Sequence, residues 1–192
     1  MKIILGSSSP QRKMIMEEMG HDFKVISPDI DEKSIRDSDP RQLTLKVANA
    51  KADAVVKKAD KNSLVIASDS IVLVNNILRE KPEDKEQAYE WLKELSEGAP
   101  QTIVTSLVVV NTKTGERLQG IEEGAITFGP ISDNEIWEFI NSKQAFNHAG
   151  GFGVQKEPFL SHTKESIGER EALIGLPKKL TQDFLLRLGL NG

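Results

Sequence analysis

Cysteine is absent from the 192 residues, which excludes disulfides, thiolate nucleophiles and cysteine-ligated zinc and is compatible with a reducing compartment. Long hydrophobic runs are also lacking. No stretch approaches the roughly 20 apolar residues of a membrane-spanning helix, and Ile3-Ile4-Leu5 before Gly6 is too short for a signal-peptide core. The expected location is the cytoplasm, with no membrane partner. Positive charge is not in excess, since 25 Lys and Arg face 29 Asp and Glu for a net charge of −4. That balance, with no basic stripe interleaved with aromatics, argues against a nucleic-acid-coating surface, so any anion site must be a local cluster of cations. Repeats and low-complexity segments are missing as well. A chain of this length buries a proper core as one domain, or one with a modest lobe added.

The elements that are present interleave strands and helices. Ile3-Ile4-Leu5 reads as a strand that stops at Gly6 and restarts as a helix from Gln11 to Met19, with Ser9 as N-cap, Pro10 at the first helical position and Gly20 beyond the end. Met14, Ile15 and Met19 are its expected buried face. Phe23 to Ile26 alternates as a second strand and leads into the acidic loop Ser27 to Glu32. Asp39-Pro40 opens a helix whose apolar stripe is expected at Leu43, Val47, Ala50, Ala54 and Val55, with Lys51 off its centre. Leu64 to Ala67 reads as a central strand delivering Ser68-Asp69-Ser70 at its end, before Ile71 to Val74 continues. Asn75-Asn76 marks a hairpin turn. A helix from about Asp84 to Leu95, with Trp91 as core packing, precedes a strand over Thr102 to Val110, a turn at 112–115 and a returning strand over Glu123 to Phe128. Ser132 and Glu135 form a capping box, the glycines of Ala149-Gly150-Gly151-Phe152-Gly153 permit close backbone approach, and a last helix carries Leu180, Phe184, Leu185 and Leu188. The pattern predicts an α/β class with a mixed sheet, because the hairpin signals require some antiparallel pairing.

The opening turn has the composition of an anion site. Helix N-terminal amides, the hydroxyls of Ser7, Ser8 and Ser9 and the cations Arg12 and Lys13 together favour a phosphate. An ordinary β–α connection, in which serines cap and basic residues face water, is the other reading of the same residues. It is not a Walker loop, which requires Gly directly before Lys where this chain has Gln11-Arg12. Glu32, Lys51, Asp69, Ser70 and Lys81 also fall in turns, near strand ends or on a helix flank. Two carboxylates with several cations suit a phosphate-ester hydrolase: Glu32 and Asp69 could hold magnesium together with substrate phosphates, and the cations would neutralise the transferring centre.

Seven motifs in order, SSSPQR, SPDIDE, ANAKADA, ASDSIV, REKP, AGGFGVQ and IGLPKKL, resemble the Maf proteins, nucleoside triphosphate pyrophosphatases also named septum formation inhibitors. The resemblance covers nearly the whole chain. It implies a single Maf-like domain over 1–192, with an elongated mixed sheet, flanking helices and two lobes around a cleft, similar to the inosine triphosphate pyrophosphatase fold, and a homodimer. It also implies cleavage between the α and β phosphates with a divalent cation, magnesium or manganese, giving a nucleoside monophosphate and pyrophosphate. Carried over, Ser7, Ser9 and Arg12 match the phosphate-contacting turn, Glu32 the acidic loop residue, Lys51 and Lys81 the two lysines, and Asp69 the proton acceptor. Substrate choice maps to Gln11, Ser70 and Gln155. The branch acting on dTTP and UTP shows Arg, Thr and Gln there, and the 7-methyl-GTP branch shows Trp, Gln and Glu. Gln155 agrees with the first and Ser70 is close to it, whereas Gln11 fits neither. The expectation is therefore a dTTP/UTP or modified-pyrimidine pyrophosphatase, with 7-methyl-GTP hydrolysis or a low-turnover regulator of cell division as alternatives. Asn147-His148 stands where many relatives have Asp-Lys, leaving His148 as a surface residue or, when protonated, a stand-in for the lysine.

Overall fold

The computed structural model describes residues 1–190. In chain order it contains β1 (Lys2–Leu5), α1 (Pro10–Glu18), β2 (Phe23–Val25), α2 (Pro40–Val56), β3 (Ser63–Val74), β4 (Ile77–Arg79), α3 (Lys85–Ser96), β5 (Gln101–Asn111), β6 (Arg117–Phe128), α4 (Asp133–Asn141), α5 (Phe159–His162), β7 (Thr163–Ile167), α6 (Arg170–Ile174) and α7 (Lys178–Arg187). The sheet has seven strands in the order β2-β1-β3-β5-β6-β7, with β4 paired to β3. Parallel β1–β2 and β1–β3 ladders coexist with antiparallel β3–β4 and β6–β7 ladders, so the sheet is mixed as expected. Among the described residues no helix is long and apolar enough to cross a membrane.

Local chemistry sets most element boundaries. Ser9 and Asp39 accept backbone N–H bonds as N-caps, each followed by Pro at the first helical position. Ser132 and Glu135 form both halves of the capping box. Asn75 and Asn76 take φ values of 51° and 63°, matching the twist of a two-residue hairpin between β3 and β4.

The chain forms two compact units. The first comprises Met1–Ser70, Thr105–Glu122 and the chain from Ile174 onward, and the second comprises Ile71–Val104 and Glu123–Leu173. In the first unit, strand alternation divides the core between the two sheet faces. Leu5, Leu64 and Ile66 pack with Ile15 and Met16 of α1 and Phe184 of α7 on one face. Ile4, Val65 and Ala67 pack with Ala48, Ala52 and Val55 of α2 on the other. The second unit is centred on Val72, Leu92, Phe128, Phe139, Phe152 and Phe159. Phe128, Phe139 and Phe152 each meet Phe159 edge to face at centroid distances of 4.8 to 5.9 Å, the arrangement favoured by aromatic quadrupoles.

Several expected faces shift. Met16, rather than Met14 or Met19, is fully buried on α1. On α2 the buried stripe is Leu43, Thr44, Val47, Ala48, Lys51, Ala52 and Val55, while Ala50 and Ala54 are partly exposed. Strand β3 joins the expected Leu64–Ala67 and Ile71–Val74 runs into one strand through Asp69, and β4 pairs with its end over Val72–Val74. Trp91 is half-buried with the Arg79 guanidinium 4.8 Å from its ring centroid, so it is a cation–π platform as much as core. Strand β7 lacks any hydrophobic alternation, since all five of its residues are exposed at the sheet edge.

Candidate active site

Strand β1 lies between β2 and β3, with parallel ladders to both. The connection through α1 runs from β1 to β2, the connection through α2 runs from β2 past β1 to β3, and the two helices cover opposite faces. The crevice outside the carboxyl ends of such strands is the usual ligand position in an open α/β sheet. Ser7 emerges there from β1, and Ser68, Asp69 and Ser70 occupy the corresponding end of the β1–β3 ladder. Gly6 is needed for this approach: a Cβ at that position would lie 3.0 Å from Val55 Cγ2 and 3.2 Å from the Ile66 carbonyl.

The opening turn folds around its own hydroxyls. Ser7 Oγ accepts from the Ser9 amide at 3.1 Å, and Ser9 Oγ donates to Gln11 Oε1 at 3.0 Å while accepting from the Arg12 amide at 3.4 Å. The Arg12 guanidinium is spread across three partners. Nε donates to the Gly175 carbonyl at 2.9 Å, Nη1 to Ser7 Oγ at 3.4 Å and Nη2 to Ser70 Oγ at 3.3 Å. Gly175, at φ 127°, offers its carbonyl both to Arg12 and to Ser68 Oγ, the latter at 2.9 Å, from a conformation that side chains rarely adopt. Burial is the first cause that lowers the Arg12 pKa, and Asp69 and Glu32 oppose it. Ser70 Oγ also accepts from Thr105 Oγ1 at 2.9 Å, so the hydroxyl at position 70 accepts from both Arg12 and Thr105.

On the opposite sheet face Asp69 and Lys51 form a buried pair. Alternation along β3 points Asp69 toward α2, with Ser68 and Ser70 on the Arg12 side. Lys51 was expected at the edge of its helix stripe, but the structure places it in the buried stripe at 5% exposure, with its ammonium paired to carboxylates. Its Nζ lies 2.7 Å from Asp69 Oδ1 and 2.9 Å from Glu32 Oε2. Asp69 is 9% exposed, whereas Glu32, in a 3-10 turn capped by Asp31, is half exposed. The second Asp69 oxygen accepts from Thr44 Oγ1 at 3.1 Å. Thus two carboxylate oxygens converge on one ammonium, a donor set that suits a hard cation. Among the described residues no group of three or more His, Cys, Asp or Glu could hold a metal, so any ion there would need substrate oxygens to complete its shell.

Ser7, Ser9, Gln11, Arg12, Glu32, Lys51, Asp69 and Ser70 belong to the first unit, and Lys81 and Gln155 to the second. Lys81 is exposed after β4, where the Glu80 carbonyl accepts from the Gly150 amide at 3.0 Å. Gly150 and Gly151 have φ of 69° and 77°, and Phe152 anchors the segment bearing Gln155 in the aromatic cluster. His148 is partly buried, and burial first, then Lys156 and Lys81, lower its pKa. It is therefore neither a freely solvated surface residue nor a charged stand-in for lysine at neutral pH. Because the unfolded chain binds the proton first as pH falls, the native state loses stability below the ordinary histidine value of about 6.5. His148→Gln should make the thermal midpoint less sensitive to acid than in the wild type over roughly pH 7.5 to 5.5. Parallel calorimetric melts would check this, and equal acid sensitivity of the two proteins would exclude it.

Of the further residues that bind the site, Ser68 and Gly175 lie within the ASDSIV and IGLPKKL motifs, whereas Thr44, Thr105 and Ser106 lie outside all seven. Of the latter three only Thr44 has a sequence signal, as a hydroxyl between Leu43 and Val47 on an apolar stripe.

Comparison with known proteins follows the same outline. A 7-methyl-GTP pyrophosphatase of Dictyostelium discoideum is 43% identical over 190 residues, covering 95% of each chain. A dTTP/UTP pyrophosphatase of Thermoanaerobacter sp. (strain X514) is 30% identical over 187 residues, covering 97% of this chain and 96% of its own. The solved Staphylococcus aureus Ham1 protein aligns with a TM-score of 0.46 at 17% identity, over 97% of this chain and 99% of that one. The family model described as Maf-like protein matches residues 2–188, and with these motifs and relatives the chain belongs to the Maf family.

Proposed function

We propose that this chain hydrolyses the α–β phosphoanhydride of nucleoside triphosphates, releasing a nucleoside monophosphate and pyrophosphate. The observation that carries the reading is the Asp69–Lys51 pair at 2.7 Å, together with Arg12 and the Ser7–Ser9 turn, at the carboxyl ends of β1 and β3. Ser7, Ser9 and Arg12 bind phosphate oxygens, with the guanidinium held ready by Gly175 and Ser70. Asp69 orients a water and takes its proton as the water oxygen bonds to the α phosphorus, and the bond from that phosphorus to the bridging oxygen breaks as pyrophosphate leaves. Lys51, 2.7 Å from Asp69 Oδ1, counters the carboxylate's charge and, with Lys81, offsets charge on the phosphoryl oxygens. Arg12, Lys51, Asp69 and Glu32 are formally neutral together, so a triphosphate needs further positive charge. Magnesium or manganese held by Glu32 and Asp69 would supply it by neutralising the phosphate oxygens.

The residues favour a pyrimidine base, dTTP or UTP, since Gln155 can present both a donor and an acceptor to a base edge. The 43% identity to a 7-methyl-GTP pyrophosphatase supports the second reading, a methylated guanine. Ser70, bonded to Arg12, influences that choice through the phosphate end. The acidic net charge fits a cytoplasmic enzyme for free nucleotides, and a homodimer belongs to the same reading. Incubation with magnesium or manganese and a panel including dTTP, UTP, GTP and 7-methyl-GTP, followed by product chromatography, should yield monophosphate and pyrophosphate. Diphosphate with orthophosphate would refute α–β cleavage. Tight calorimetric binding without turnover would replace the enzyme by a regulator.

A further inference from the structure

We infer that Thr44, backed by Ser106, is the positioning residue that fixes the Asp69 carboxylate. The inference rests on the reading of Asp69 as the group that handles the attacking water. Lys51 holds only Oδ1 of Asp69, at 2.7 Å, and one contact would leave the carboxylate free to turn about its terminal torsion. Thr44 Oγ1 supplies the second contact by donating to Oδ2 at 3.1 Å. Both hydroxyl residues are fully buried, so water does not compete for these bonds.

Proton counting explains why Thr44 donates in that direction. Each hydroxyl has one proton. Ser106 Oγ donates to the Thr44 carbonyl at 2.8 Å, with the Asp69 carbonyl a weaker alternative at 3.4 Å. Ser106 Oγ therefore has no proton left for Thr44 Oγ1, 3.1 Å away, and can only accept from it. Between that neutral oxygen and an ionised carboxylate at the same distance, the carboxylate is the stronger acceptor. Helical threonines commonly turn their hydroxyl back to the preceding helical turn; here Ser106 on β5 donates to the Thr44 carbonyl at 2.8 Å and the Thr44 hydroxyl turns to Asp69 on β3 instead. The carboxylate is thus clamped from α2 at both oxygens, by Lys51 and by Thr44 two turns of stripe earlier.

Thr44→Val removes the hydroxyl at nearly constant volume. It should lower kcat by roughly tenfold to a hundredfold, the range expected for a catalytic group displaced by up to about 1 Å, with KM changed less than about twofold because ground-state binding is untouched. Calorimetric binding of a non-hydrolysable nucleotide without added metal should match the wild type. Thr44→Ser, which keeps the donor, should restore most of the lost kcat. A loss confined to thermal stability, or an equal kcat loss in Thr44→Ser and Thr44→Val, would overturn the proposal. Should Thr44→Val fail to fold, Ser106→Ala reads the same hold: a fall in kcat at constant KM supports it, and wild-type kcat overturns it. Asp69→Asn separates the two layers. If that variant is inactive while Thr44→Val keeps full kcat, the Thr44 role alone falls, and if Asp69→Asn retains turnover, the reading of Asp69 falls first.

Discussion

Asp69→Asn should reduce kcat by roughly 10²- to 10⁴-fold, the typical contribution of a positioned acid–base group, while leaving the fold intact. Asparagine has nearly the volume of aspartate, and its amide oxygen can still accept from Lys51 or Thr44 at the positions now 2.7 and 3.1 Å from the carboxylate oxygens. What it cannot do is take a proton from water. Lys51 keeps Glu32 as a partner at 2.9 Å, so no buried cation is left without a counter-charge. Turnover at saturating nucleotide, with circular dichroism to confirm the native fold, tests the expectation. Wild-type kcat in this variant would remove Asp69 from the chemistry, and an unfolded variant would recast the pair as structural.

Lys51→Met has the largest expected effect on stability. Methionine fills the space of the stem beside Ala48 and Ala52 but leaves Asp69, 9% exposed, without its cation. Removing one partner of a buried pair costs about 3–5 kcal/mol, because the remaining charge stays desolvated. Among the described residues Thr44 is then the one remaining side-chain donor to that carboxylate, and one hydroxyl does not replace an ammonium at 2.7 Å. Activity should be lost together with stability. Lys51→Met combined with Asp69→Asn should recover a large part of the stability and none of the activity, since replacing both members removes the uncompensated charge. Urea unfolding at neutral pH measures both variants. A single variant as stable as wild type would mean that the pair contributes little, and a double variant no more stable than the single one would mean that Lys51 acts through packing.

The features written into local sequence are those whose physics is local. Ser9-Pro10, Asp39-Pro40 and the Ser132–Glu135 box specify helix starts because a cap satisfies amides within three residues of itself. Asn75-Asn76 specifies a hairpin because both residues tolerate positive φ. Strand β7 is illegible for the complementary reason: periodicity records burial, and Thr163–Ile167 is bound to β6 by its backbone with every residue exposed. Ser106 reads as one more small residue in a buried strand until α2 is packed against it.

The candidate site divides along the same line. The residue types of the Ser7–Arg12 turn, with Glu32, Lys51, Asp69 and Lys81, are determined by sequence, and the order of their motifs suffices to assign the family. That Lys51 is buried and that Ser70 contacts Arg12 were decided by the tertiary structure alone. The physical reason is that a side chain's burial and charge partners come from residues distant in the chain. Gly175 reaches Arg12 across 163 positions and Ser106 reaches Thr44 across 62, and no local pattern encodes such contacts.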